Sequence, residues 1–191
     1  CQDSSAFGSG PFVVDYLTSP PSSAARVIDP FEYLAAIESK IRPRLPAVAG
    51  TMREFRESLF QEDFTADTVW ERAFFGFTEG EGSFFRGLPP DCGPAADFSG
   101  RPVIKLIPAA QSGLGPYRSL YRWDADLYAA LSPLQQSYAL NLAWLWQVSN
   151  NPLVHRRVTR FFHSREFLSL SSVEVVTQLR AIGLNPSNGG R

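Results

Sequence analysis

Reactive side chains are scarce in this chain. Its 191 residues include two cysteines, two histidines and one methionine. The histidines, His155 and His163, are eight residues apart, not the His-x-x-x-His spacing of zinc helices, and neither has the glutamate three residues earlier that the Glu-x-x-His of carboxylate-bridged metal pairs requires. Cys92 has no Cys-x-x-Cys partner. Asp124-Ala-Asp126 reads more simply as helix capping before Leu127 than as a metal site. No metal and no cofactor are therefore expected. Gly-x-Ser-x-Gly is absent, and Gly113-Leu-Gly115 runs straight into Pro116, so neither a hydrolase elbow nor a dinucleotide loop is indicated. No apolar run reaches the roughly 18 residues of a membrane span. A net charge of −1 offers no general attraction for nucleic acid. That small sum hides an asymmetry. Residues 1–100 hold 15 acidic and 8 basic side chains, a balance of −7, and residues 101–191 hold 4 and 10, a balance of +6. Of the 18 basic residues 16 are arginine, a bias that codon usage in a GC-rich genome would explain.

What is present is a helical pattern. Residues 133–148 are apolar on nearly every side, with Asn141 and Gln147 the plain polar exceptions after Tyr138. A helix with no polar face is enclosed by protein. Ser132 suits its N-cap and Pro133 its first turn. At 1.5 Å per residue it would be ~24 Å long, the width of a small domain. The fold expected is mainly α, about six helices packed around this central one, with a long Gly/Pro-rich loop region and a minor β element.

The other elements follow in chain order. Residues 1–28 are Ser-, Pro- and Gly-rich, an N-terminal tether with one apolar island, Phe12-Val13-Val14. A single helical domain is expected over 29–184. Asp29-Pro30 opens a helix whose core face is Phe31, Leu34, Ile37 and Ile41, and Pro46 opens a second with Val48, Met52, Phe55, Leu59 and Phe60. A third is expected from Thr65–Thr68, with Thr68-x-x-Glu71 as a capping box and Trp70, Phe74 and Phe77 as its buried face. Residues 78–116 are an irregular insertion whose glycines and prolines forbid a long helix, with one strand, Val103–Ile107, that could pair with Phe12–Val14. Helix resumes at Tyr117. Asn151-Pro152 starts another, with Val154, Val158, Phe161 and Phe162 inward and Arg156, Thr159, Arg160 and His163 opposite. The last runs from Ser171 to Ile182, capped by Ser171-x-x-Glu174 and stopped by Gly183. Residues 185–191 form a tail.

Two resemblances bear on function. The start Cys1-Gln-Asp-Ser-Ser-Ala-Phe-Gly-Ser-Gly-Pro11 resembles the mature start of bacterial lipoproteins, a cysteine followed by a small polar tether. It implies lipid attachment at Cys1 and a place in the bacterial cell envelope, on the periplasmic or outer face of a membrane. A Cys1–Cys92 disulfide, a Cys1 nucleophile and a trimmed start are the competing readings. Phe74-Phe-Gly-Phe-Thr-Glu-Gly-Glu-Gly-Ser-Phe84 resembles the LAGLIDADG motif of homing endonucleases. It implies a helix end at which Glu81 would hold a catalytic divalent metal, in a homodimer, since one copy is present. The family follows its motif with basic strands, whereas Gly87-Leu-Pro-Pro-Asp-Cys-Gly-Pro94 follows here, so a helix running into a Gly-rich turn ranks first.

Two surfaces remain as candidate partner contacts. If helical, Tyr117-Arg-Ser-Leu-Tyr-Arg-Trp123 stacks Tyr117 on Tyr121 and Arg118 on Arg122, one turn apart, beside Trp123. Tyr, Trp and Arg are the residues enriched at binding hot spots. Arg156, Arg160, His163 and Arg165 form a basic set suited to phosphates or acidic side chains. The leading expectation is a non-enzymatic envelope lipoprotein, an accessory or structural subunit bound to other proteins of a membrane-associated assembly and to the membrane through Cys1, with nucleic acid not a partner. The alternatives are a LAGLIDADG-type endonuclease using Glu81 and a secreted hydrolase using Cys1. A layered β structure, which the last would need, is not what this pattern predicts.

Overall fold

The computed structural model describes residues 24–73, 103–107, 113, 119–149 and 151–184. Two helices come first, α1 (Pro30–Ile41) and α2 (Pro46–Ser58). The Asp29 carboxylate accepts from the Phe31 and Glu32 amides at 2.7 and 3.1 Å, and Pro30 fills the first turn, where no donor is missed. Tyr33, Leu34, Ile37 and Ile41 of α1 are buried together with Val48, Ala49, Met52 and Phe55 of α2. Phe31, expected in that core, is 42% exposed.

Three strands follow: β1 (Thr68–Arg72), β2 (Ile104–Ile107) and β3 (Ser119–Trp123). The order is β1-β3-β2, with β1 parallel and β2 antiparallel to β3. Trp70 registers with Tyr121, and Tyr121 with Leu106. Alternation sends Trp70 and Tyr121 to the helices and Val69, Leu120 and Ile107 to a second small cluster on the opposite face. Then come α3 (Ala125–Ala130), α4 (Pro133–Leu145), α5 (Pro152–Phe162), a 3-10 turn at Phe167–Ser169, and α6 (Ser172–Ile182).

The expected central helix is α4. Ser132 and Gln135 complete a reciprocal capping box, and every residue from Ser137 to Leu145 is buried. It ends at Leu145, three residues before the expected Val148. Asn151 caps α5 and Ser171 caps α6, and Gly183 stops α6 at φ 103°, a conformation that glycine adopts without a Cβ penalty.

The mainly-α, six-helix expectation is overturned. Among the described residues the fold is an α/β mix, five helices of 11 to 13 residues and the short α3 with a three-stranded mixed sheet. Two expected helices are strands. At residues 68–72 the supposed capping box does not form. The Trp70 amide donates instead to the Gln61 carbonyl at 3.1 Å, while β-branched and aromatic side chains pair across to β3. At residues 119–123 the same chemistry wins, so β3 becomes the middle strand. The expected strand near Val103 is present as β2 and pairs with β3; Phe12–Val14, Phe74 and Phe77 lie outside the described residues. Part of the expected tether is also structured, since the Ala25 amide donates to the His163 carbonyl at 2.8 Å.

Candidate functional site

The chemistry-bearing side chains converge at the contact between α4 and α5. Ser137 and Asn141 are one turn apart on α4, and Thr159 of α5 lies one turn before His163, the C-cap of that helix, so each pair faces the same way. Ser137 Oγ lies 2.8 Å from His163 Nε2, and Thr159 Oγ1 donates to Asn141 Oδ1 at 2.9 Å. The other ring nitrogen, Nδ1, is 2.8 Å from the Thr159 carbonyl. A carbonyl only accepts, so Nδ1 carries the proton and Nε2 accepts from the serine. The Tyr33 and Tyr138 rings flank the imidazole at centroid distances of 5.2 and 5.4 Å. Burial pushes His163 down to about 4, against a smaller raising effect of the Thr159 carbonyl. It is a neutral imidazole at neutral pH.

A serine hydroxyl bonded to an imidazole that a third group orients is the arrangement of an activated nucleophile. Here Ser137 and His163 are both 0% exposed. The pair is closed to solvent, and its physical effect is to fix the register of two helices while satisfying groups that burial would otherwise penalise. Asn141 Nδ2 alone among these groups is buried without a partner. His155 is set similarly: its Nε2 donates to the Ser149 carbonyl at 2.6 Å, the Trp146 ring packs edge-on at 4.6 Å, and burial lowers it to about 4.

The residues named as partner contacts are dispersed by the fold. Cys1, Glu81, Tyr117 and Arg118 lie outside the described residues. Tyr121 is not a surface residue: it is fully buried, stacks on Trp70 at 4.8 Å, and donates to the Ala143 carbonyl at 3.2 Å. Strand alternation sends its neighbour Arg122 to the other face, where Nε meets Glu71 Oε2 at 2.5 Å. Trp123 is half-buried. The basic set on α5 and just beyond it also divides. Arg160 and Arg165 are exposed and Arg156 half-buried, but His163 and Thr159 are sealed in the core, so these residues do not share one solvated face.

Two arrangements went unseen in the sequence. Glu38 is buried between Arg42 and Arg56, joining α1 to α2. The spacing of Glu38 and Arg42 on one helix was a readable signal; Arg56 was not. The second is an aromatic cluster centred on Phe60, whose ring packs on Trp123 at 4.0 Å, on Trp70 at 5.1 Å and on Tyr128 at 5.1 Å. Among the described residues, no group of three or more His, Cys, Asp and Glu side chains is placed to hold a metal ion, and no helix is long and apolar enough to cross a membrane. No protein-family model matches this chain, and neither a curated protein nor a solved structure is significantly similar to it.

Proposed function

We propose that this protein is a non-enzymatic accessory or structural subunit that docks onto an acidic surface of a partner protein within a membrane-associated assembly of the bacterial envelope. The observation that carries the reading is the outer stripe of α5. Leu153, Arg157 and Arg160 recur at helical spacing and are all exposed, Leu153 at 52%. An exposed leucine beside arginines combines an apolar anchor with bidentate carboxylate recognition. The surplus of basic residues after residue 100 favours an acidic partner. By contrast, the one serine–histidine pair among the described residues is closed to solvent, which supports a binding role over a hydrolytic one.

The test is co-purification of the native assembly with an Arg157→Glu, Arg160→Glu variant, beside a thermal melt of the variant alone. Loss of partners with a nearly unchanged melting temperature is expected. An intact assembly sinks the proposal. Anchoring through Cys1 rests on the resemblance of residues 1–11 to lipoprotein starts, and intact mass spectrometry of natively expressed protein tests it: a diacylglycerol adduct is expected, and an unmodified thiol rules it out.

A further inference from the structure

We propose that the acidic surface met by the α5 stripe belongs to a second copy of this chain, and that it is the turn joining α2 to β1. The inference rests on the docking role given to α5 and names its occupant. Two surfaces of the chain are complementary in charge. Between Arg56 and Arg72 there is no basic residue and there are five acidic ones, of which Glu57, Glu62, Asp63 and Asp67 are exposed. Between Asp126 and Glu166 there is no acidic residue and there are four arginines, of which Arg157 and Arg160 line the outer stripe of α5.

Each surface also carries one large apolar side chain. Phe64 is 51% exposed in the acidic turn, and Leu153 is 52% exposed at the start of the basic stripe. Because both are exposed at once, the two surfaces do not cover each other within one chain. Where they meet between two chains, the apolar side chains leave water and the carboxylates face guanidinium groups, which take them bidentately.

Both surfaces are held in shape before they meet. In the turn, the Thr65 amide donates to Asp63 Oδ1 at 2.8 Å, the Trp70 amide to the Gln61 carbonyl at 3.1 Å and the Arg72 amide to Glu62 Oε1 at 3.3 Å. On α5, Asn151 Oδ1 accepts from the Leu153 amide at 3.0 Å, and helical spacing keeps Leu153, Arg157 and Arg160 on one side. Little ordering is left to oppose the contact. Two α5 stripes repel each other, as do two acidic turns, so the contact joins unlike patches. It closes when a two-fold axis lets each copy use both patches, and otherwise adds copies head to tail.

Sedimentation velocity of the full chain, under reducing conditions so that no disulfide contributes, tests this. At low salt the sedimentation coefficient should rise with protein concentration. In about 1 M NaCl, where charges are screened beyond about 3 Å, it should stay at the monomer value. Two charge-reversed variants separate this contact from any other. One is Arg157→Glu with Arg160→Glu, and the other is Glu57→Arg with Glu62→Arg and Asp67→Arg. Each alone should remain monomeric at low salt. An equimolar mixture should associate again, because the unaltered α5 of one variant meets the unaltered turn of the other. An unaltered chain that stays monomeric at low salt overturns the proposal. If the first variant still strips the native partners in that case, the docking stripe stands and its occupant is not a second copy. A mixture that fails to associate also overturns the proposal, since α5 then meets something other than the acidic turn.

Discussion

Ser137 donates a hydrogen bond to His163 across 2.8 Å, in the middle of the α4–α5 contact and at 0% exposure for both residues. That bond requires an unprotonated Nε2. Burial holds His163 at about 4 in the folded protein, against 6.5 for an ordinary histidine. The unfolded chain therefore takes up a proton at a pH where the folded one does not. Stability is full above pH 6.5, falls as pH drops toward 4, and levels off below it. At 1.36 kcal/mol per pKa unit the loss from His163 is about 3 kcal/mol, and His155, also lowered to about 4, acts in the same direction. Urea denaturation between pH 4 and pH 7 measures it. His163→Phe should be less stable at pH 7, yet its stability should vary less with pH. An unchanged slope would mean that other groups carry the acid sensitivity.

Tyr121 and Arg122 are neighbours in sequence with opposite fates, and their alanine variants should separate accordingly. Tyr121→Ala removes a fully buried ring stacked on Trp70 and should cost about 3–5 kcal/mol. Tyr121→Phe removes the hydroxyl bonded to Ala143 and Gln147 and should cost about 1 kcal/mol. Arg122→Ala breaks an exposed ion pair with Glu71 and should cost under about 1 kcal/mol. Equilibrium denaturation of the three variants gives the ranking. A strongly destabilised Arg122→Ala would contradict this placement.

The contrast between those residues shows which parts of the fold the sequence exposed. Helix starts were legible at Asp29-Pro30, Ser132-Pro133, Asn151-Pro152 and Ser171-x-x-Glu174, because a cap is settled within four residues of chain. Strands β1 and β3 were not. Trp70 meets Tyr121 through a parallel pairing between segments far apart in the chain, and each segment alone imitates helical spacing. The polar contact between α4 and α5 was hidden similarly. Thr159 and His163 read as a solvated face until Asn141 and Ser137, on another helix, are brought opposite them. The positive φ of Phe60 leaves no mark in the sequence at all, since nothing but glycine or asparagine would signal it.

Glu38 poses a different question, because its side chain is 3% exposed while its partners Arg42 and Arg56 are 58% and 28% exposed. Removing one arginine leaves the other in place. Arg42→Ala should therefore cost about 1 kcal/mol or less. Removing both strands a buried carboxylate, and the double variant should lose about 3–5 kcal/mol. Adding Glu38→Gln to the double variant should recover part of that loss, since no charge is then buried. Denaturation of the series checks the order. A triple variant less stable than the double would show that the carboxylate itself, and not its pairing, holds α1 against α2.

An enclosed helix running over residues 133–148 would bury Trp144 and Trp146 alike, on different sides. The helix ends at Leu145, and that separates them. Trp144 is 0% exposed, with Nε1 donating to Thr51 Oγ1 at 3.1 Å and its ring stacked near Phe162. Trp144→Ala leaves a cavity among α2, α4 and α5 and should cost about 3–5 kcal/mol. Trp146 lies beyond the last helical turn, half-buried, edge-on to His155. Its truncation opens a route for water rather than a closed cavity, so Trp146→Ala should cost clearly less. The same opening would hydrate the His155 ring, and desolvation is the larger cause of that residue's lowered pKa. Trp146→Ala should then move His155 up from about 4 toward its ordinary 6.5, a shift that NMR titration of the imidazole protons would read directly. Equal costs for the two tryptophans, or a His155 that stays near 4 in the variant, would place Trp146 inside the core after all.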